Sequence, residues 1–172
     1  MLRTVCFLTT GLLTLMSLPS LAFNELEKKD LIVEDFNWKD RNHISEQVER
    51  IDELARLKLG LQIRGDKRDL EVLQRIIHRG YIQQDDVLMQ QALGAVLGNV
   101  MVNELGLEWK RYEDKMGLSR AACAPKTEEC LFPVTMLSRR MSVGLMPNVE
   151  KVYNEAHELI KHLLPKSPYQ VD

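Results

Sequence analysis

The sequence predicts an α+β fold of about five helices packed around a small antiparallel β-sheet of two to three strands. Apolar residues recur at helical spacing in about five segments of the chain. Before the fourth of them, "LEWKRYED" places Leu107, Trp109 and Arg111 on one side of an extended chain and their neighbours on the other. Capping residues, glycines and prolines separate these segments, as expected of short elements in a single domain.

Residues 1–22 have the three parts of a secretory signal peptide. Arg3 precedes an apolar run over residues 5–18, and Ser20-Leu21-Ala22 offers the small residues of a cleavage site. The run is shorter than the roughly 20 residues of a membrane span. We therefore predict export with cleavage after Ala22; an uncleaved N-terminal anchor is the alternative.

The mature chain is predicted to form one domain. Residues 23–39 read as a polar lead-in, 40–165 as a single α+β domain and 166–172 as a flexible tail. The whole chain has 23 basic and 25 acidic residues, and loss of Arg3 leaves 22 against 25, a net charge of −3. This acidic balance argues against a nucleic-acid partner. After cleavage no second long apolar run remains, so we expect no stable membrane span.

The first two helices are predicted from their caps and apolar stripes. Asp40 resembles an N-cap, and Gly60 lies near the end of the first helix. Asp66 or Asp69 is expected to cap the second helix, which Gly80 ends. The apolar stripe of the first helix comprises Ile44, Val48, Ile51, Leu54, Ala55 and Leu57, and that of the second comprises Leu70, Leu73, Ile76 and Ile77.

The third helix is apolar nearly all round. Its body, "VLMQQALGAVLGNVMVNEL", follows Asp85, the expected cap, and ends before Gly106. Such a helix is buried from several sides. Gly94 and Gly98 share one face, where another backbone is expected to approach closely; a ligand-facing groove is the alternative.

A hairpin and two helices complete the predicted fold. "LEWKRYED" and "KMGLSRAAC" form two strands that turn at Gly117, and "CLFPV" forms a short third strand. Pro133 suits the first turn of a helix, and Asn148 caps the last one. The inner residues of the first of these helices are Val134, Leu137 and Met141, and those of the last are Val149, Val152, Tyr153, Ala156, Leu159, Ile160 and Leu163.

Cys123 and Cys130, the ends of "CAPKTEEC", are the cysteines of the mature chain. An even pair in an exported protein is most simply a disulfide, which here would tie two neighbouring strands. Reduced thiols are the alternative. The spacing does not suit a redox C-x-x-C, and two cysteines do not complete a zinc site.

The order of several simple motifs resembles a bacterial family. These motifs are "QQALGAVLGNVMVNELGLEW", then Asp114 and Gly117, then "LFPVTMLSRR". Together they resemble the domain of unknown function 3806 family over a third to a half of the mature chain. The resemblance implies an α+β domain and supplies no activity and no catalytic residues.

Motifs for catalysis or metal binding are not visible in the sequence. His157 and His162 are five apart, so they lie roughly 140° apart on a helix and miss the spacing of a zinc motif. The adjacent carboxylates Asp85-Asp86 and Glu128-Glu129 point apart and form no dyad. We predict no metal and no cofactor.

Four residues form the candidate ligand site. Gln91 and Asn99 are amides on the apolar third helix, Trp109 follows on the hairpin, and Arg140 ends the family motif. They would line a polar pocket in which an arginine grips an anion. The alternative is a structural hydrogen-bond network, with Arg140 paired to Asp114 or to a helix end.

These observations favour a periplasmic or secreted, non-enzymatic domain that binds an envelope protein or a small ligand. The runner-up is an envelope hydrolase or transferase whose site assembles from scattered polar residues. Histidines and acidic residues clustered in one concave pocket would favour the enzyme. An inhibitor or immunity-type protein is a third possibility.

Overall fold

The computed structural model describes residues 31–164. The predicted signal peptide, the first residues of the lead-in and the tail lie outside the described residues. Within the described range, no helix is long and apolar enough to cross a membrane.

The described chain folds into four strands and five α-helices. The elements in chain order are β1 (Ile32–Asp35), α1 (Trp38–Leu59), α2 (Arg68–His78), α3 (Val87–Leu105), β2 (Glu108–Asp114), β3 (Gly117–Cys123), β4 (Cys130–Leu131), α4 (Pro133–Met141) and α5 (Val149–Ile160), followed by a 3₁₀ turn (Lys161–Leu163). The predicted α+β class and helix number are confirmed.

The sheet has four strands, in the order β1-β2-β3-β4, with every pair antiparallel. The prediction of two to three strands was wrong because β1 comes from the segment read as a polar lead-in. Its β-branched Ile32 and Val33 pair with Glu113 and Tyr112 of β2. The strand leads into Phe36, which is buried against the helices.

Three predicted helix caps are corrected by the structure. Asn37, not Asp40, caps α1 and accepts hydrogen bonds from the N–H groups of Lys39 and Asp40. Asp86, not Asp85, caps α3. Neither Asp66 nor Asp69 caps α2, whose N-cap position is Lys67 without a side-chain hydrogen bond.

Asp69 is instead fully buried in the first turn of α2. Its carboxylate accepts hydrogen bonds from the N–H groups of Arg64 and Gly65 at 2.6–3.0 Å. It therefore fixes the loop between α1 and α2.

Helix α3 forms the centre of the molecule. Its residues Ala92, Leu93, Val96, Leu97, Val100 and Met101 are fully buried, as its all-round apolarity predicted.

Two predicted stripe residues prove to be exposed: Leu57 of α1 is 79% exposed and Leu159 of α5 is 70% exposed. Both lie at the margin of their predicted stripe.

The two glycines of α3 permit close packing, as predicted. A Cβ on Gly94 would lie 2.5 Å from the carbonyl oxygens of Pro133 and Val134, so only a glycine lets the start of α4 reach α3. A Cβ on Gly98 would overlap the Trp109 ring and lie 2.8 Å from Cγ of Pro133. These contacts place α4 and β2 against one face of α3.

Cys123 and Cys130 form a disulfide with their Sγ atoms 2.06 Å apart, as predicted. The two residues are direct partners across β3 and β4. The bond closes the loop over residues 124–129, where Ala124 donates to the carbonyl of Glu129. It therefore holds β4, and the start of α4 beyond it, against the sheet.

Candidate functional site

A cavity of about 220 Å³ lies where α1, α3, β3 and the start of α4 meet. Its lining residues are His43, Gln91, Leu118, Ser119, Arg120, Phe132, Val134, Thr135 and Arg139. This volume is smaller than the roughly 300–1,000 Å³ of pockets that enclose drug-sized ligands. The cavity therefore suits a small molecule or a single chemical group.

Local structure places each wall of the cavity. The residue opposite Gly94 is at the start of α4, so the missing side chain of Gly94 brings Val134 and Thr135 close to α3 and Gln91. The hairpin supplies Ser119 and Arg120 from β3, in register with Tyr112 and Arg111 of β2. Below the cavity lies a small apolar cluster of Phe36, Ile44 and Ala95, packed by Val48, Trp109 and Val134.

Arg120 is held at the cavity wall by a buried carboxylate. Its Nη2 lies 3.0 Å from Oδ1 of Asp40, whose side chain is only 3% exposed. Among the described residues, the buried Nε of Arg120 and Oδ2 of Asp40 have no hydrogen-bond partner. The pair thus makes one contact where a side-on guanidinium and a carboxylate can make two.

The lining of the cavity is cationic. It includes the guanidinium groups of Arg120 and Arg139 and, among the described residues, no aspartate or glutamate. Burial, and then the nearby Arg120 guanidinium, lower the pKa of His43 below its ordinary 6.5. His43 is therefore neutral at pH 7, and the arginines supply the positive charge.

The structure separates the four residues of the predicted ligand site. Gln91 lines the cavity, but Asn99, Trp109 and Arg140 are not among its lining residues. Asn99 Oδ1 accepts a hydrogen bond of 2.9 Å from Trp109 Nε1, and both residues are half-buried. The Trp109 ring also stacks on Phe36 with their centroids 5.5 Å apart. These contacts are those of the structural-network alternative; ligand binding by the four residues stays a prediction.

Arg140 was expected to pair with Asp114 or with a helix end, and it does not pair with Asp114. Its Nη1 donates to the carbonyl of Met136 within α4 at 2.6 Å. Asp114 accepts from the N–H of Met116 in the hairpin turn at 2.7 Å. The preceding residue, Arg139, is the arginine that α4 presents to the cavity.

Sequence reasoning missed His43, Arg120 and Arg139 as site residues. One signal pointed to Arg120. It lies two residues from both Leu118 and Ala122 on β3, so the three side chains share one face of the strand, the face that packs against the helices. Asp40 was misread because an aspartate before a helical stripe resembles a cap. Its partner, 80 positions along the chain, is not visible in a local pattern.

The histidines do not cluster. His43 lies at the cavity, His78 is exposed at the end of α2, and His157 is 3.9 Å from Glu158 on α5. Within residues 31–164, no group of three histidine, cysteine, aspartate or glutamate side chains is placed to hold a metal ion. Of these three histidines, the structure places only His43 at the cavity.

The hydroxyl groups at the cavity are not joined to His43. Thr135 Oγ1 donates to the carbonyl of Phe132 at 3.3 Å, within the first turn of α4. Among the described residues, no hydrogen bond links His43 to Ser119 or Thr135. The arrangement therefore lacks the nucleophile–base contact of covalent catalysis.

Residues 69–153 match the family model described as a domain of unknown function (DUF3806). The matched segment supplies Gln91, β3 and α4 to the cavity, whereas α1, with Asp40 and His43, precedes it.

A solved structure from Bacteroides thetaiotaomicron VPI-5482, determined at 1.50 Å, is similar to this chain with a TM-score of 0.70 and 22% sequence identity. The similarity covers 80% of this chain and 51% of that chain, so this chain spans about half the length of the Bacteroides protein. At this identity the likeness concerns the fold alone.

A comparison with curated proteins gives no match. Through residues 69–153, the chain belongs to the domain of unknown function 3806 family.

Proposed function

We propose that this protein is an exported, periplasmic or secreted, non-enzymatic binding domain whose ligand site is the cavity between α1, α3, β3 and α4. The observation that carries the proposal is the convergence of Arg120, Arg139, Gln91 and Thr135 on one small concave space. These polar groups lie beside the apolar residues Leu118, Phe132 and Val134, and polar groups that converge on a concave space with an apolar wall are typical of ligand sites.

Two observations support export. The first is the three-part pattern of residues 1–22, ending in Ser20-Leu21-Ala22. The second is the Cys123–Cys130 disulfide, because such bonds persist mainly in oxidising compartments. The intact mass of the protein from the exported fraction tests this part. We expect a chain that begins at Phe23 and gains two hydrogens on reduction; a chain that begins at Met1 with free thiols would contradict it.

An envelope hydrolase or transferase remains the second candidate, since His43 shares the cavity with Ser119 and Thr135. Binding is the better-supported function because the Thr135 hydroxyl is engaged by the Phe132 carbonyl rather than by His43. Hydrolysis of p-nitrophenyl acetate separates the two. A rate above background that falls to background in His43→Gln would favour the enzyme.

The binding test is a ¹H–¹⁵N correlation experiment with a set of small fragments. We expect amide shifts confined to the cavity, including those of Ser119 and Thr135. Ser119→Trp should abolish them by filling the cavity, and because Ser119 is an exposed strand residue this change should leave the fold intact. Ser142→Trp is the matched control, outside the cavity. Fragments that bind elsewhere, or not at all, would overturn the proposal.

A further inference from the structure

We infer that the ligand of this cavity is a small organic carboxylate with a short apolar part, and that Arg139 binds its carboxylate directly. The inference rests on the proposed function, namely that the cavity is a ligand site. Three observations support it. Arg120 is ion-paired whereas Arg139 is not, Gln91 and Ser119 lie beside them as neutral donors, and Leu118, Phe132 and Val134 form an apolar wall.

Arg139 is the arginine that is free to bind an anion. Its guanidinium forms no ion pair and no hydrogen bond with any described residue, and Arg139 is an exposed residue of the cavity lining, so its five N–H donors are available to a ligand. By contrast, Arg140 uses Nη1 on the carbonyl of Met136. A planar guanidinium binds a carboxylate through two parallel hydrogen bonds.

Arg120 forms a wall of fixed orientation that adds little net charge. Its ion pair with Asp40 neutralises most of its charge and holds its orientation, so the cavity has a net positive charge that comes chiefly from Arg139. With His43 neutral, this charge suits a monoanion better than a doubly charged group.

The remaining lining residues define the rest of the ligand. Gln91 and Ser119 can donate hydrogen bonds to a carboxylate oxygen, whereas the Thr135 hydroxyl donates to the Phe132 carbonyl. An apolar wall of Leu118, Phe132 and Val134 would leave inorganic phosphate partly desolvated without partners. The volume of about 220 Å³ corresponds to roughly seven water molecules at about 30 Å³ each, so the apolar part is short.

The test uses the mature exported chain and three probes: sodium butanoate, neutral butanamide and inorganic phosphate. We expect butanoate to shift the amide signals of Ser119 and Thr135 in a saturable manner. Butanamide and phosphate should bind at least about tenfold more weakly, because each lacks either the charge or the apolar part.

Arg139→Gln should weaken butanoate binding by about tenfold or more, since it removes a charge-assisted bidentate contact. Arg139→Lys should recover part of the loss because it restores the charge without the planar fork. Arg56→Gln is the control: it removes an exposed arginine that does not line the cavity and should leave the butanoate affinity unchanged.

Two results would overturn the inference while leaving the proposed function in place. One is equal binding of butanamide and butanoate in the cavity, which would make the ligand neutral. The other is stronger binding of phosphate than of butanoate, which would make it an inorganic or phosphorylated anion. Failure of every fragment to shift the cavity amides would instead overturn the proposed function itself.

Discussion

Arg120 of β3 and Asp40 of α1 form a buried ion pair, with Nη2 and Oδ1 3.0 Å apart. The Asp40 side chain is almost wholly removed from solvent, and the Arg120 side chain is 27% exposed. This contact joins the sheet to the first turn of the longest helix. It therefore connects the stability of the fold to the shape of the candidate site.

We predict that Arg120→Gln destabilises the protein by about 2–4 kcal/mol, because it leaves Asp40 charged and buried without its cation. Asp40→Asn should cost less than this. The double variant should lose about 1–3 kcal/mol less in free energy of unfolding than the two single losses added together. Urea unfolding measures all three.

The exposed pair Arg56–Asp52 is the control for this cycle, since Arg56 is 57% exposed. Arg56→Gln should cost less than about 1 kcal/mol. If the losses in free energy of unfolding from the Arg120 and Asp40 changes simply add in the double variant, the ion pair contributes no coupling energy.

Gly94→Ala should destabilise the protein by about 2 kcal/mol or more, although alanine favours a helix by about 1 kcal/mol over glycine. The new Cβ would meet the backbone oxygens of Pro133 and Val134, which cannot move without displacing α4. Gly98→Ala should cost less, because the Trp109 ring is a side chain that can shift. Thermal unfolding ranks the two variants; a neutral Gly94→Ala would contradict the close packing.

Removal of the disulfide should destabilise the protein by roughly 2–3 kcal/mol, the value that the chain-entropy model gives for a loop this short. The Cys123→Ala/Cys130→Ala variant should unfold at lower urea concentration than the oxidised wild type. Reductant should lower the wild-type midpoint and leave that of the variant unchanged. Equal midpoints for all samples would mean that the bond is absent or without effect on stability.

His43 should make stability fall as the pH is lowered. Its pKa in the folded protein lies below 6.5, because burial and Arg120 disfavour the cation, with Arg50 acting in the same direction and Asp40 and Glu46 opposing. Below pH about 6.5 the unfolded chain therefore binds a proton that the folded chain does not, and the stability difference grows until the folded pKa is reached.

The measurement is urea unfolding of the wild type and His43→Gln at pH about 7.5 and about 5.5, on either side of the ordinary histidine pKa. The wild type should lose more stability between these values than His43→Gln. His78→Gln, which changes an exposed histidine, should behave like the wild type. An equal loss in the wild type and His43→Gln would mean that His43 is protonated equally readily in the folded and unfolded chains.

Local patterns predicted most elements of the fold. The all-round apolarity of α3 and the alternation of β2 each follow from one short segment, so both could be read from the sequence. β1 could not, because an isolated four-residue strand among charged residues gains its stability from pairing with β2, about 80 positions away. The predicted N-caps were misplaced by one to three residues, because several neighbouring polar residues can each act as an N-cap.

The candidate site was harder to predict because it depends on tertiary packing. The choice between Arg139 and Arg140 is decided by the rotation of α4, which the contact at Gly94 sets. Trp109 and Asn99 were expected to face a ligand, yet they hydrogen-bond to each other and do not line the cavity. Sequence periodicity shows which face of a helix is apolar, but it does not show which polar residue meets a neighbouring strand.

A crystal structure of the mature protein grown with butanoate would show directly whether the cavity binds a carboxylate. We expect electron density for the carboxylate in the cavity, within hydrogen-bond distance of the Arg139 guanidinium, with the alkyl chain against Phe132 and Val134. Butanoate bound elsewhere on the molecule, with solvent alone in this cavity, would contradict it.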